Sequence, residues 1–218
     1  MKIILKEEQF IQNSAAIKIT MDSNIQIMEK PDWVSWEDIK NCLMEAHSVN
    51  RAKGINMSHY QWPAEKIRDA IEPNGVMLVA LDGKKIVGTA AICERQGGVA
   101  WYAKGRYAYM GFAGVLPEYN GRGIYKELIR RREKIAIDQG YTIFLFDTHE
   151  KNKKIQSIAK ANGYRMVSFI RVKSKDHYNV IMTKWPKHCP FSSVYCQLRF
   201  FLSRFFAQMF RRLDPIKQ

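Results

Sequence analysis

The stretch that most constrains this chain runs Val115-Leu116-Pro117-Glu118-Tyr119-Asn120-Gly121-Arg122-Gly123-Ile124-Tyr125-Lys126-Glu127-Leu128. An apolar run from Tyr107 to Leu116 reads as a strand, and Pro117 stops it. A glycine-bearing turn follows, and a long helix of 3.6-residue apolar period begins near Ile124. Strand, glycine turn and helix N-terminus in that order make an anion site. Glycine lets the backbone approach a phosphate, unpaired N–H groups point at it, and the helix dipole adds partial positive charge. Arg122 puts a full cation at the same place. The ligand that suits such a turn is a pyrophosphate, so the chain is expected to handle a nucleotide-like cofactor.

The details exclude two common cofactor turns. A dinucleotide-binding turn needs G-x-G-x-x-G, and Lys126 stands where its third glycine belongs. The P-loop string G-x-x-x-x-G-K-[ST] does not occur. The segment resembles instead the acyl-CoA-binding motif of the GNAT-type N-acetyltransferases, [QR]-x-x-G-x-[GA], and aligns with the family form from Val115 to Tyr125 without a gap. Two positions depart from it: Asn120 replaces the usual Arg or Gln, and Tyr125 the usual Gly or Ala. A bulky Tyr125 beside the turn would tighten or partly obstruct the site. A second family segment, Asn-x-x-(Ala/Ser)-x-x-x-Tyr-x-x-x-Gly-Phe, is matched in order and spacing by Asn152 and Gly163-Tyr164. Its Tyr, which in many members protonates the departing thiolate, is Ala159 here. The resemblance spans roughly residues 75 to 185.

What the resemblance implies is an α/β (α+β) fold, with a mixed, mostly antiparallel sheet flanked by helices and acetyl-CoA or another acyl-CoA as co-substrate. The implied cofactor-binding residues are Val115, Asn120, Gly121, Arg122, Gly123, Ile124, Tyr125 and Asn152. Val115 would pair its backbone with the pantetheine arm, where the strand splays from its neighbour. Gly111 and Gly114 inside that strand independently suggest a bulge or a close backbone approach.

The remaining elements read directly from pattern. Short alternations at Ile17–Thr20 and Ile25–Met28 suggest strands. Ser35 is a helix N-cap with Asp38 at N3, opening a helix from Trp36 to about Asn50. Pro63 to Ile71 is a second helix, and Gly54 to Trp62 between them is a polar, aromatic connection. His59, Tyr60 and Trp62 in that connection read equally as a wall of the acceptor pocket or as a packed surface loop. Val76–Leu81 and Lys85–Ile92 form a hairpin around Asp82-Gly83. A loop with Gly97-Gly98 leads to the motif strand, and Thr142–Phe146 is a buried strand. Met166–Val172 and Tyr178–Lys184 pair across a turn at Lys173–Lys175.

Acyl transfer to an amine needs a base, a polarised carbonyl and help for the leaving thiolate. The candidate bases are Glu94 at a strand end, and Asp147 and His149 just past the strand Thr142–Phe146. Each has a plainer reading as a helix cap or a solvated strand end. Tyr178 or Tyr164 are the candidates to stand in for the missing Tyr acid.

Length and charge bound the rest. The chain has 218 residues and 46% hydrophobic content, enough for one substantial core. No apolar run reaches the roughly eighteen residues of a spanning helix, and the N-terminus has too short an apolar run for a secretory signal. Cys42, Cys93, Cys189 and Cys196 are scattered, which suits a reducing, cytoplasmic compartment. His188, Cys189 and Cys196 match no common zinc pattern, so no metal is expected. The net charge of +14 has no recognition helix or stacking motif beside it, so nucleic acid is not expected as partner. Arg130-Arg131-Arg132 reads as a solvated helix face. The charge does suit an anionic small-molecule amine acceptor.

Residues 1–186 are read as the acyltransferase domain and 187–218 as an extension. In the extension Val194, Leu198, Phe201, Phe205, Met209 and Leu213 share a helical stripe, with Arg204, Gln208, Arg211 and Arg212 elsewhere. The stretch 191–213 suits packing on the sheet, a homodimer contact, a peripheral membrane contact or another protein. The functional reading is an acyl-CoA-dependent N-acyltransferase, most simply acetyl transfer to a small amine. The alternative is a GNAT-like acyl-CoA-binding module with little transferase activity, at a membrane surface or in regulation.

Overall fold

The computed structural model describes residues 24–94, 106–171, 177–185, 198, 201–206 and 208–209. The expected strand at Ile17–Thr20, the Gly97-Gly98 loop, the Lys173–Lys175 turn and His188, Cys189 and Cys196 lie outside them. After strand β1 (Ile25–Glu29), helix α1 (Trp36–Ala46) opens on a capping box. The Ser35 hydroxyl accepts the Asp38 N–H at 3.1 Å, and the Asp38 carboxylate accepts the Ser35 N–H at 3.0 Å. The helix stops short of Asn50. It breaks at His47, and a separate turn, α2 (Ser48–Ala52), follows.

Helix α3 (Ala64–Ile71) buries Ala64, Ile67 and Ile71. Strands β2 (Val76–Asp82) and β3 (Lys85–Glu94) turn on Gly83-Lys84. Gly83 has φ 58°, a conformation that Gly reaches without a Cβ penalty. The chain continues through β4 (Tyr107–Val115), α4 (Ile124–Asp138), β5 (Ile143–His149), α5 (Lys153–Ala161), β6 (Arg165–Arg171) and β7 (Tyr178–Lys184). Strand β5 is longer than its apolar run, because its far half pairs with β7 as far as His149–Asn179. Asp147 and His149 therefore lie within the strand and not beyond it.

The seven strands are ordered β1-β2-β3-β4-β5-β7-β6, antiparallel throughout except for β4 against β5. The sheet is covered on both faces, and β2 shows how. Met77, Val79 and Leu81 pack toward α1 and α3, while Leu78 and Ala80 join Ile124 and Leu128 of α4 on the other side. Among the described residues no helix is long and apolar enough to cross a membrane.

The triple arginine is not a solvated face. Arg130 is exposed and pairs with Glu127, and Arg131 reaches both Glu127 and the Ile27 carbonyl. Arg132 is only 3% exposed and points into the sheet.

His47 ties α1 to β4. Its Nε2–H donates to the Ala113 carbonyl at 3.0 Å. Gly114 is required next to it, because a Cβ there would come within 2.8 Å of the Ala46 Cβ. Burial, and then the charge of His59, push the His47 pKa down to about 4 from 6.5. The unfolded chain thus takes up a proton between those values that the folded chain refuses. This contribution to stability is complete above pH 6.5 and is lost as pH falls toward 4. The loss should reach about 2 kcal/mol at pH 5. Urea unfolding at neutral and acidic pH checks it, and His47→Gln, which keeps a donor for Ala113, should lose much less.

Candidate active site

The site grows from a parting in the sheet. Strands β4 and β5 pair only at Tyr107–Ile143, Ala108–Phe144 and Tyr109–Leu145. Beyond Tyr109, β4 stays with β3 and β5 stays with β7, so a cleft opens between them. The register of β3 against β4 slips between Thr89 and Ala91, and opposite the slip Phe112 adopts φ 48°. A bulky residue pays for that left-handed backbone with about 1–3 kcal/mol of strain. Three side chains hold it in place. The Thr89 hydroxyl donates to the Phe112 carbonyl at 3.0 Å, His47 takes the Ala113 carbonyl, and Arg132 donates to Gly111 O at 3.3 Å and Ala91 O at 3.4 Å. None of the three was legible as a site residue in the sequence, since each acts on backbone far along the chain.

At one end of the cleft lies the glycine turn. Gly121 (φ 83°) and Gly123 (φ 78°, the N-cap of α4) are both left-handed, and no side chain caps the helix. Its first N–H groups therefore lack intrahelical partners. A Cβ built on Gly121 would meet nothing within 4 Å, which leaves the turn open to a ligand. The Asn120 side chain folds back to donate to the Pro117 carbonyl at 3.0 Å, and the Arg122 guanidinium stacks on Tyr119 at 4.7 Å. A cavity of about 390 Å³ adjoins the turn, lined by Val115, Asn120, Gly121, Gly123, Ile124 and Tyr125, with Ile158 of α5 opposite.

At the other end is a cavity of about 190 Å³ lined by Met57, His59, Trp62, Glu94, Phe112 and Asp147. His59 and Trp62 thus form a wall, and both pack edge-on or tilted against Phe112, at 5.4 and 5.9 Å. Between them lies a narrow neck of about 50 Å³, which shares Asp147 with the lining of one cavity and Tyr125 with that of the other. Asp147 is held from both sides. Its Oδ1 accepts the Tyr109 hydroxyl and its Oδ2 the Asn179 amide, each at 2.6 Å. Tyr125 is half-buried, and burial raises its hydroxyl above the usual phenol range, so it keeps its proton. Ala159 on α5 lines the same small void as Tyr125.

The sequence candidates divide accordingly. Asp147 and Glu94 come together on one cavity, with Glu94 paired to Arg106 at 3.7 Å. His149 is 2% exposed and does not line the cleft; its Nδ1 accepts the Lys151 N–H at 3.0 Å and its ring stacks on His177. Tyr178 lines a different cavity with Lys153 and Lys160, and Tyr164 is buried in the core behind Ala159. Asn152 caps α5 by accepting the Ile155 N–H, donates to Thr148 and lines the neck, away from the glycine turn. Tyr109 and Asn179 were missed, although a polar Asn inside the apolar run of β7 was a usable signal. Among the described residues no group of three His, Cys, Asp or Glu is placed to hold a metal.

The family model described as "Acetyltransferase (GNAT) family" matches residues 36–164. The chain belongs to the GNAT acetyltransferase family. This GNAT fold is similar to that of an acetyltransferase from Streptococcus agalactiae, at 17% identity and TM-score 0.58, covering 75% of this chain and 99% of that one. It is also similar to the PaiA N-acetyltransferase from Thermoplasma acidophilum in complex with coenzyme A, at 20% identity and TM-score 0.54, covering 74% and 98%. The ribosomal-protein-S18-alanine N-acetyltransferase from Escherichia coli resembles it at 11% identity and TM-score 0.55, covering 76% and 96%.

The bulge makes a prediction of its own. Arg132→Met keeps the buried stem and removes the donors to Gly111 and Ala91. It should cost about 1–3 kcal/mol of stability, read by denaturant unfolding.

Proposed function

We propose that this GNAT enzyme transfers acetyl from acetyl-CoA to the amino group of a small molecule in the cytoplasm. The observation that carries the reading is the row of cavities, linked by shared lining residues, from the uncapped N-terminus of α4, past Tyr125, to the doubly held Asp147. The open turn at Gly121 and Gly123 fits a pyrophosphate, with the N–H groups of Ile124 and Tyr125 as donors and Arg122 adding charge. Acetyl-CoA, when bound, supplies the thioester.

Asp147 takes the proton that the incoming ammonium must lose, directly or through one water. Tyr109 and Asn179 fix the carboxylate, so its remaining lone pairs face the cavity. Tyr125 gives its proton to the sulfur as the C–S bond breaks and the C–N bond forms. It supplies from α4 the hydroxyl that Ala159 lacks on α5. Orientation in the neck contributes further, on the order of 7–11 kcal/mol. The acceptor cavity carries Glu94 and Asp147, aromatic walls and, among its described lining, no Lys or Arg. That lining suits a protonated amine on an apolar or aromatic body better than the anionic acceptor suggested by net charge.

Calorimetric titration with acetyl-CoA, followed by thiol release against a panel of amines, tests the proposal. Binding with release is expected. Absence of binding would refute it, and binding without release against every amine would favour the acyl-CoA-binding module. Gly123→Val, forced into a left-handed backbone, should abolish acetyl-CoA binding in the same titration. Asp147→Asn should lower kcat by about 10²–10⁴-fold with unchanged acetyl-CoA affinity. Tyr125→Phe should lower kcat by about 10²-fold, and a thiol leaving group of lower pKa should restore most of that loss.

A further inference from the structure

Among its described residues, the extension leaves Leu198, Phe201 and Phe205 of its apolar stripe exposed. Residues 201–206 and 208–209 are helical, as is 198. Among the described residues, Ser203 bonds the segment to the sheet: its Oγ accepts the Phe169 N–H at 2.7 Å, donates to the Phe169 carbonyl at 3.3 Å, and lies 3.1 Å from Ser168 Oγ. Phe169 belongs to the edge strand β6. With Ser203 turned inward, the apolar side chains are turned out: Phe201 is 67% exposed, Leu198 59%, Phe205 55%, Phe206 49% and Leu202 46%. Five large apolar residues exposed on one short segment form the kind of patch that marks an interaction surface.

Charge decides what it meets. Residues 187–218 carry Lys187, Arg199, Arg204, Arg211, Arg212 and Lys217 against Asp214 alone. Arg204 and Gln208 line a cavity of about 450 Å³ with Lys153 and Lys160 of α5, against the single carboxylate of Glu150. Glu150 is engaged with the Tyr178 N–H at 3.3 Å. A basic hollow therefore adjoins the apolar face. A second copy of the chain seated there would bring these cations against their own equals. An anionic bilayer offers hydrocarbon for the Phe and Leu side chains and phosphates for the Lys and Arg.

We infer that the face formed by Leu198, Phe201, Leu202, Phe205 and Phe206 docks this enzyme on anionic membrane surfaces, with Phe201 and Phe205 inserted and the hollow lined by Lys153, Lys160 and Arg204 facing lipid phosphate.

Co-sedimentation of the full chain with phosphatidylglycerol or phosphatidylcholine vesicles tests this. Wild type should sediment with the anionic vesicles, far less with the zwitterionic ones, and less at high salt. Phe201→Asp with Phe205→Asp should lower the partition coefficient about 100-fold. Both residues are exposed, so the melting temperature and acetyl-CoA titration of that variant should match wild type. Arg204→Gln should weaken binding to anionic vesicles alone. Equal sedimentation of wild type and the double variant would overturn the proposal. So would a wild-type dimer in light scattering that the double variant dissolves without any vesicle binding, which would make the face a contact between copies.

Discussion

Everything at the catalytic end of this molecule depends on keeping two neighbouring strands apart. A parallel pair that forms three residue matches and then separates leaves backbone groups that would cost free energy if buried without partners. On the other side of β4, where its register against β3 slips, side chains drawn from three elements hold the backbone. His47 comes from the end of α1, Thr89 from β3 and Arg132 from the middle of α4, and together they take the carbonyls of Gly111, Phe112 and Ala113. The strained backbone at Phe112 survives because these contacts over-determine it. The same strain aims the Phe112 ring at His59 and Trp62, so the wall of one cavity and the opening of the cleft share a cause.

The net charge of +14 is not mirrored in the lining of the cleft. The strongly basic composition is spent at the surface and in the extension, and one guanidinium, that of Arg132, acts as internal scaffolding. The described lining of the cavity at Asp147 carries two carboxylates, those of Glu94 and Asp147. A global field steers ligands from afar, but the local lining sets what is accepted.

Local signals in the sequence carried well where the physics is local. The capping box at Ser35, the hairpin at Gly83, the strand stop at Pro117 and the left-handed glycines before α4 all depend on residues within one turn of each other. The cleft residues separate by range. Asp147 and Glu94 could be placed beside the cleft because they end or continue strands, whereas Tyr109, Asn179 and His47 matter only through partners dozens of positions away. His149 misled because the apolar run stops at Phe146, whereas the strand runs on to His149 and the turn after it donates the Lys151 N–H to its ring. Arg132 misled because an arginine run is usually solvated, and only the sheet beneath α4 shows one member turned inward.

The grip of Ser203 on Phe169 reaches beyond the placement of the extension. An edge strand offers its free N–H and C=O groups to any extended segment that can lie alongside, which is how sheets grow from one molecule into the next. One hydroxyl here occupies both the donor and the acceptor of an edge residue in the middle of β6. A foreign strand would have to break both bonds before it could run in register, so the serine works as a stopper against open-ended polymerisation. Loss of the extension would then be felt first as self-association of the catalytic sheet, before any change in its chemistry.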